Sequence, residues 1–254
     1  MIVFLIKLIA APLLLALATL AARRWGTVLG GILIGLPLIS GPISVFLAIE
    51  NGAGFAVETA RGALAGTVAL AVFTCVYAAV CPKGWLKASF SSVALYVVAS
   101  WIAAELPISA VTLAVSAAAA IILSLWIMPV PHGAAVKHRP PKHDLLMRMG
   151  MMMVLMLAIT FLAPYIGPTA SGIASTFPYM ALTMAVFSQI QGGPDNARRA
   201  MHGLMLGMYS GLVFNLVVWA LAAEDRLLIA YAAAIAAALA AQGVVLVLTL
   251  KKTA

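Results

Sequence analysis

Residues 31–52, GILIGLPLISGPISVFLAIENG, and residues 172–193, GIASTFPYMALTMAVFSQIQGG, lie 141 positions apart and share one skeleton. Each reads Gly-Ile, a proline six residues after the glycine, Val-Phe, an isoleucine and a closing glycine. Continued to Val76 and Val217 without a gap, the pairing gives thirteen identities in 46 positions, among them one proline and four glycines. The later matches are Ala56 with Ala197, Gly62 with Gly203, Gly66 with Gly207, Val72 with Val213 and Phe73 with Phe214. Upstream, the same offset sets Lys7 against Arg148, Leu14 against Leu155, Thr19 against Thr160 and Gly26 against Gly167. Two random apolar stretches do not reproduce prolines and glycines in register, so the chain contains an internal repeat.

The medium in which this repeat folds follows from composition. Of 254 residues, 65% are hydrophobic and 9% charged, and mean hydropathy is +1.13, more apolar surface than a soluble domain exposes to water. Apolar stretches at 3–22, 27–49, 55–80, 86–104, 107–129, 145–165, 168–190, 199–222 and 227–250 are each near the ~20 residues a spanning helix needs. None alternates with polar residues as a membrane barrel strand does, so the expected fold is an all-α polytopic membrane protein of about nine transmembrane helices. Soluble enzymes, disulfide scaffolds and nucleic-acid binders are excluded, and Cys75 and Cys81 alone build no disulfide framework. The first segment resembles a signal peptide in its small residues Ala21 and Ala22, but its length, Arg23 and Arg24 behind it and its place in the repeat make it structure.

Charge sets the expected orientation. Arg23, Arg24, Lys83, Lys87, Lys137, Arg139, Lys142, Arg148, Arg198, Arg199, Lys251 and Lys252 all follow odd-numbered segments, twelve of the fifteen cations. Ends of even-numbered segments carry Glu50, Glu105, Glu224, Asp225 and one Arg226. Positive loops stay cytoplasmic, so the N-terminus is expected outside and the C-terminus in the cytoplasm of a bacterial inner membrane.

The repeat unit is four segments: 1–104 forms the first copy, 145–254 the second, and 105–144 holds a connector helix and a basic cytoplasmic linker. The odd helix between two even copies turns the second over, giving an inverted repeat. A basic residue in the first helix (Lys7, Arg148) followed by a second helix with glycine, proline and a closing glycine (Gly31 to Gly52, Gly172 to Gly193) resembles the small GlpM-like bacterial membrane proteins. The resemblance covers segments one to three and six to eight. It implies two antiparallel copies and carries no established reaction.

Inverted repeats are the usual construction of secondary transporters, in which one repeat rocks against the other around a midplane site. Pro37 and Pro178 each remove a helical hydrogen bond, freeing the carbonyls of Leu33 and Ala174, and free carbonyls at depth need protein, water or ligand. Gly35, Ser40, Gly41, Pro42 and Ser44 surround the first break; Ser171, Ser175, Thr176 and Thr183 surround the second, and Asn215 is a central amide. These residues are the expected substrate path, unless they are two kinked helices patched by their own hydroxyls. Glu58 and Arg61, three apart on one helix face, correspond in the repeat to Arg199 and His202, and inversion sets the pairs at opposite mouths. They are candidate gates or else interfacial charges reaching solvent. Glu50 and Gln191 close their helices.

No ionisable side chain lies near the middle of an assigned helix, which favours a neutral, zwitterionic or amphipathic substrate over a naked ion and leaves ion coordination by the freed carbonyls as the alternative. Met147, Met149, Met151, Met152, Met153 and Met156 point all round a helix and read as packing. His132, His138 and His143 lack metal-site spacing, and no serine has a base at its level, so neither metal, cofactor nor catalytic residue is expected. The expected function is a secondary transporter or lipid-type flippase working by alternating access; the alternative is a non-transporting scaffold or accessory subunit. Expected partners are membrane lipid, a small-molecule or lipid substrate and, as an allowed assembly, a second copy. Cysteine reporters check the topology: one at position 140 should label from the cytoplasm and one at 225 from outside, and labelling of both from the same side would overturn the helix count.

Overall fold

A computed structural model describes residues 2–37, 44–45, 48, 52–106, 109–131, 143–162, 177–222 and 226–253. Among these residues every regular element is helical: α1 (Ile2–Trp25), α2 (Thr27–Gly35), α3 (Ala53–Val80), α4 (Trp85–Glu105), α5 (Ala110–Ile127), α6 (Asp144–Leu162), α7 (Tyr179–Leu221) and α8 (Leu227–Thr253). A 3-10 turn, Cys81–Lys83, joins α3 to α4. Five helices among the described residues are long and apolar enough to cross a bilayer: α3, α4, α5, α7 and α8. Their outer faces carry large apolar side chains, such as Phe90, Trp126 and Leu228 at 75%, 84% and 71% exposure, which suits lipid and not water.

The repeat's prolines and glycines fall where helices are interrupted. Helix α2 stops at Gly35 because Leu36 precedes a proline and takes extended geometry (φ −66°, ψ 145°). Pro178 stands just outside α7 (φ −80°, ψ 49°), which begins at Tyr179. The closing glycines of the two copies share one rare backbone conformation, Gly52 at φ 86°, ψ 176° and Gly193 at φ 76°, ψ −178°. A side chain is disfavoured there. The sequence suggests a loop over 190–199; instead Gly193 turns the chain in one residue and Pro194 opens the next arm, as proline does at a first helical position. Helix α7 is therefore two arms, 179–192 and 194–221, meeting at an elbow.

The second arm of α7 is the centre of the fold. It contributes Met201, Leu204, Met205 and Met208 to a core with Phe73, Tyr77, Tyr96 and Ile121. Leu212 enters a second group with Leu64, Leu113 and Ala117, and Phe214 and Val218 a third with Ala48, Ala56, Ala60, Tyr231 and Ala238. Helix α2 crosses this arm backbone to backbone. A methyl group added at Gly35 would stand 2.6 Å from the Gly207 Cα, and one at Gly207 would stand 2.8 Å from the Gly35 Cα and against the Ile32 carbonyl. Gly31 likewise lies on the Ala200 carbonyl and Gly203 on that of Val28. Two Gly-xxx-Gly pairs, 31/35 and 203/207, thus interlock, the arrangement that lets membrane helices approach closely and make Cα–H···O contacts.

The helix ends sort by charge. Arg23, Asp144, Arg148, Gln191, Cys81, Arg198 and His202 belong to contacts at one end of the bundle, which we term the cationic end. Ser44 and Tyr231 meet at the other. The glycine crossing predicts an asymmetry: Gly207→Val should destabilise the detergent-solubilised protein by ~1–3 kcal/mol as an overpacking change. Gly62→Ala should leave it as stable or more so, because a methyl there meets nothing within 4 Å. Comparable losses of melting temperature in both variants would contradict the packing described.

Candidate functional site

The predicted path residues divide into three groups. Gly35 and Pro37 lie at the broken end of α2, where the Gly35 carbonyl approaches Gly211, and the buried Pro178 precedes α7. Ser44, Thr183 and Asn215 have partners already. The Ser44 hydroxyl lies 2.7 Å from the Tyr231 hydroxyl, which donates to the Ser44 carbonyl at 3.0 Å; Thr183 donates to the Tyr179 carbonyl at 2.8 Å, and the Asn215 amide to the Gly211 carbonyl at 2.8 Å. Ser40, Gly41, Pro42, Ser175 and Thr176 lie outside the described residues. Among the described residues one helix thus ends before Pro37 and another begins after Pro178, while Thr183 and Asn215 serve their own helix and Ser44 bonds to α8.

The predicted gates differ from each other. Glu58 and Arg61 are 3.9 Å apart with side chains 74% and 35% exposed, an open pair of little energetic weight. Arg199 donates to Asn196 at 3.0 Å, and the His202 Nε2 lies 3.4 Å from the Pro129 carbonyl, linking α7 to the end of α5. The pairs stand at opposite ends of the bundle, since Ala56 and Ala60 pack with Phe214 and Tyr231 while His202 reaches Pro129.

A denser polar arrangement occupies the cationic end. Asp144 opens α6 and is 1% exposed. It accepts from Arg23 at 2.6 Å and from the Arg148 Nε at 3.0 and 3.1 Å. Gln191 accepts from the Arg148 Nη2 at 3.0 Å and donates to Asp144. The Arg148 guanidinium stacks 4.8 Å from the Phe187 ring and points Nη1 at the Met184 sulfur. One carboxylate at a helix N-terminus, where the helix dipole favours it, thereby joins α1, α6 and the first arm of α7.

A second set holds α3 to the elbow. Tyr77 donates to Gln189 at 2.9 Å, and Gln189 donates to the Cys81 carbonyl at 2.7 Å. Arg198 donates to the Ala78 carbonyl at 3.2 Å and pairs with Asp195 at 3.0 Å. These groups reach the carbonyls at the end of α3: that of Ala78, whose helical donor would be the N–H that Pro82 lacks, and that of Cys81 in the following turn, which also accepts from the Gly84 N–H at 3.1 Å. Gln189, Gln191, Arg198 and His202 gather many of these ties around Gly193, so this end is fastened by charge and hydrogen bonds, whereas among the described residues the opposite end shows the Ser44–Tyr231 hydroxyl pair, the exposed Glu58–Arg61 pair and apolar contacts.

Sequence reasoning singled out Arg148 and Gln191 as repeat counterparts of Lys7 and Glu50, but not Asp144, Arg23 and Gln189 as their surroundings. Asp144 stands at the end of a basic linker, and only its spacing of four from Arg148 signals that the two share a helix face. Comparison with protein-family models, curated proteins and solved structures finds no match to this chain.

Removing the buried carboxylate leaves Arg148 without its counter-charge. Asp144→Ala should therefore lose ~3–5 kcal/mol, the scale for breaking one side of a buried pair, while Glu58→Ala should change stability by less than ~1 kcal/mol. Thermal or denaturant unfolding in detergent decides this, and an Asp144→Ala protein as stable as wild type would contradict the assignment of the cluster as a structural tie.

Proposed function

We propose that the chain is an inner-membrane secondary transporter or lipid-type flippase that moves a neutral, zwitterionic or amphipathic molecule by alternating access. In this reading, nine spanning segments form two inverted copies of a GlpM-like unit joined by a connector helix. The observation that carries it is the pair of elbows of one backbone conformation at the sequence-equivalent glycines Gly52 and Gly193, beside a helix that ends before Pro37 and another that begins after Pro178. A bundle that only needed to pack has no use for two matched breaks, which remove hydrogen bonds within the membrane. Broken helices at a repeat interface are where transporters bind their cargo.

The two ends then act as gates of unequal construction. The ion-paired cluster of Asp144, Arg148, Arg23 and Gln191 closes the cytoplasmic mouth, and the Ser44–Tyr231 hydroxyl pair lies toward the outer one. Each contributes free energy only in the state where its mouth is shut, so weakening either shifts the balance of states. Glu58 and Arg61 act at most as a solvated rim. The competing reading is a non-transporting scaffold or accessory subunit, and the self-satisfied hydroxyl of Thr183 and amide of Asn215 favour it.

Two measurements separate these readings. Purified protein in vesicles should carry at least one member of a panel of radiolabelled neutral and zwitterionic solutes, or expose a fluorescent phospholipid to dithionite, above protein-free vesicles; a uniformly silent panel favours the scaffold. A cysteine at Leu36, beside Pro37, should label faster from the cytoplasmic face in an Asp144→Asn background and faster from the outer face in a Tyr231→Phe background. Identical labelling from both faces in wild type and both variants would remove the gates.

A further inference from the structure

Helix α8 carries a buried side-chain amide that nothing among the described residues satisfies. Gln242 is 4% exposed, and neither its Oε1 nor its Nε2 has a hydrogen-bond partner among the described residues. It is the next residue of the buried stripe that runs through Tyr231, Ala234 and Ala238, so it faces the bundle, while Leu228, Ile235, Leu239 and Leu248 face outward. At ~1.5 Å per residue it lies ~22 Å from one end of α8 and ~16 Å from the other.

Its level can be placed against the rest of the fold. Helix α8 runs back along the second arm of α7, and the Tyr231 and Phe214 rings, 6.1 Å apart, fix the register of the two helices. Counting eleven residues on from Tyr231 in α8 and eleven back from Phe214 in the antiparallel α7 sets Gln242 level with about Gly203, the level at which α2 crosses α7 and one to two turns from the end of α2 at Gly35.

An amide buried without partners is costly, and in a bilayer the penalty is not relieved by water at the surface. Ala234 and Ala238 on its own stripe offer no side-chain group that would help hold a structural water in the two to four bonds such a water needs. Polar side chains within membrane segments mark binding sites and permeation paths.

We infer that Gln242 is a substrate-binding residue in the permeation path, where it hydrogen-bonds a neutral group that presents both a donor and an acceptor, such as an amide or hydroxyl. The inference rests on the transport reading and names a residue and a ligand chemistry for it. A side-chain amide supplies two donors and two acceptor lone pairs from atoms held side by side, which complements a group of the same kind. It supplies no charge to balance a naked ion, and residues 227–250 contain no acidic or basic side chain.

The test uses the full chain in native membranes, with Cys75 and Cys81 replaced by serine. A thiol reacts with methanethiosulfonate reagents as the thiolate, which forms only where water reaches it. If Gln242 lines a path, Gln242→Cys should react at least about tenfold faster than Ala238→Cys, one turn away on the same buried stripe. Equal or slower reaction at 242 overturns the proposal even if the vesicles transport, which separates its failure from that of the transport reading. With Gln242 retained and the cysteine placed one turn on, at the half-buried Leu246, molar acetamide or glycerol should slow labelling relative to a reporter at the exposed Lys83, and tetramethylammonium chloride should not. Slowing by tetramethylammonium instead, or by none of the three, overturns the ligand chemistry. Gln242→Met should melt no lower than wild type, since the amide makes no bond in the empty bundle; a lower midpoint makes it a structural residue and overturns the assignment.

Discussion

Backbone meets backbone with no side chain between where α2 lies across the second arm of α7 at Gly31, Gly35, Gly203 and Gly207. Lipid tails are as apolar as leucine, so no hydrophobic force draws two membrane helices together; contact distance and weak backbone hydrogen bonds must do it. Everything else is arranged around that crossing. Because α2 is pinned there, its end at Gly35 and the break before Pro37 fall beside Gly207 and Gly211. Because the arm of α7 is pinned there, its two ends are free to carry different kinds of contact.

Those ends are built from different chemistry. At the cationic end, charge gathers near the elbow at Gly193: Asp144 joins three helices through two arginines and a glutamine, and Arg198 and Gln189 bond the Ala78 and Cys81 carbonyls where α3 ends. Buried ion pairs break at high cost when one partner leaves, so this end has few intermediate arrangements. The other end is joined through Ser44 and Tyr231 and through alanines packed on Phe214 and Val218, contacts that slide more easily. Under the proposed transport reading, the glycine crossing is the pivot and the two differently built ends are the gates.

Much of this was legible in the sequence, for reasons that differ by feature. The apolar segments, the helix-ending effect of Pro37 and the equivalence of Gly52 and Gly193 follow from covalent chemistry, which acts locally and leaves its mark in one dimension. The boundary between the seventh and eighth segments was not legible, because a polar run containing Pro194, Asp195 and Asn196 reads as a loop, whereas one glycine of positive φ lets the helix resume at once. Asp144 and Gln242 were hidden for a related reason. An acidic residue next to a basic linker and a lone amide in an alanine-rich helix look ordinary until the fold shows what surrounds them, and only then is one seen to be paired and the other to have no partner among the described residues.

The central claim is that the ties at the cationic end must open for the protein to work. Arg23 and Gln191 come from different helices and both hydrogen-bond Asp144 there, so cysteines at positions 23 and 191, in a background lacking Cys75 and Cys81, can be bridged by a short bifunctional thiol reagent without touching the Asp144–Arg148 pair. Flux in vesicles, measured with whichever solute or lipid the protein moves, should stop on bridging with a reducible reagent and return on reduction. Undiminished flux in the fully bridged protein would show that this end stays closed throughout and would contradict the account.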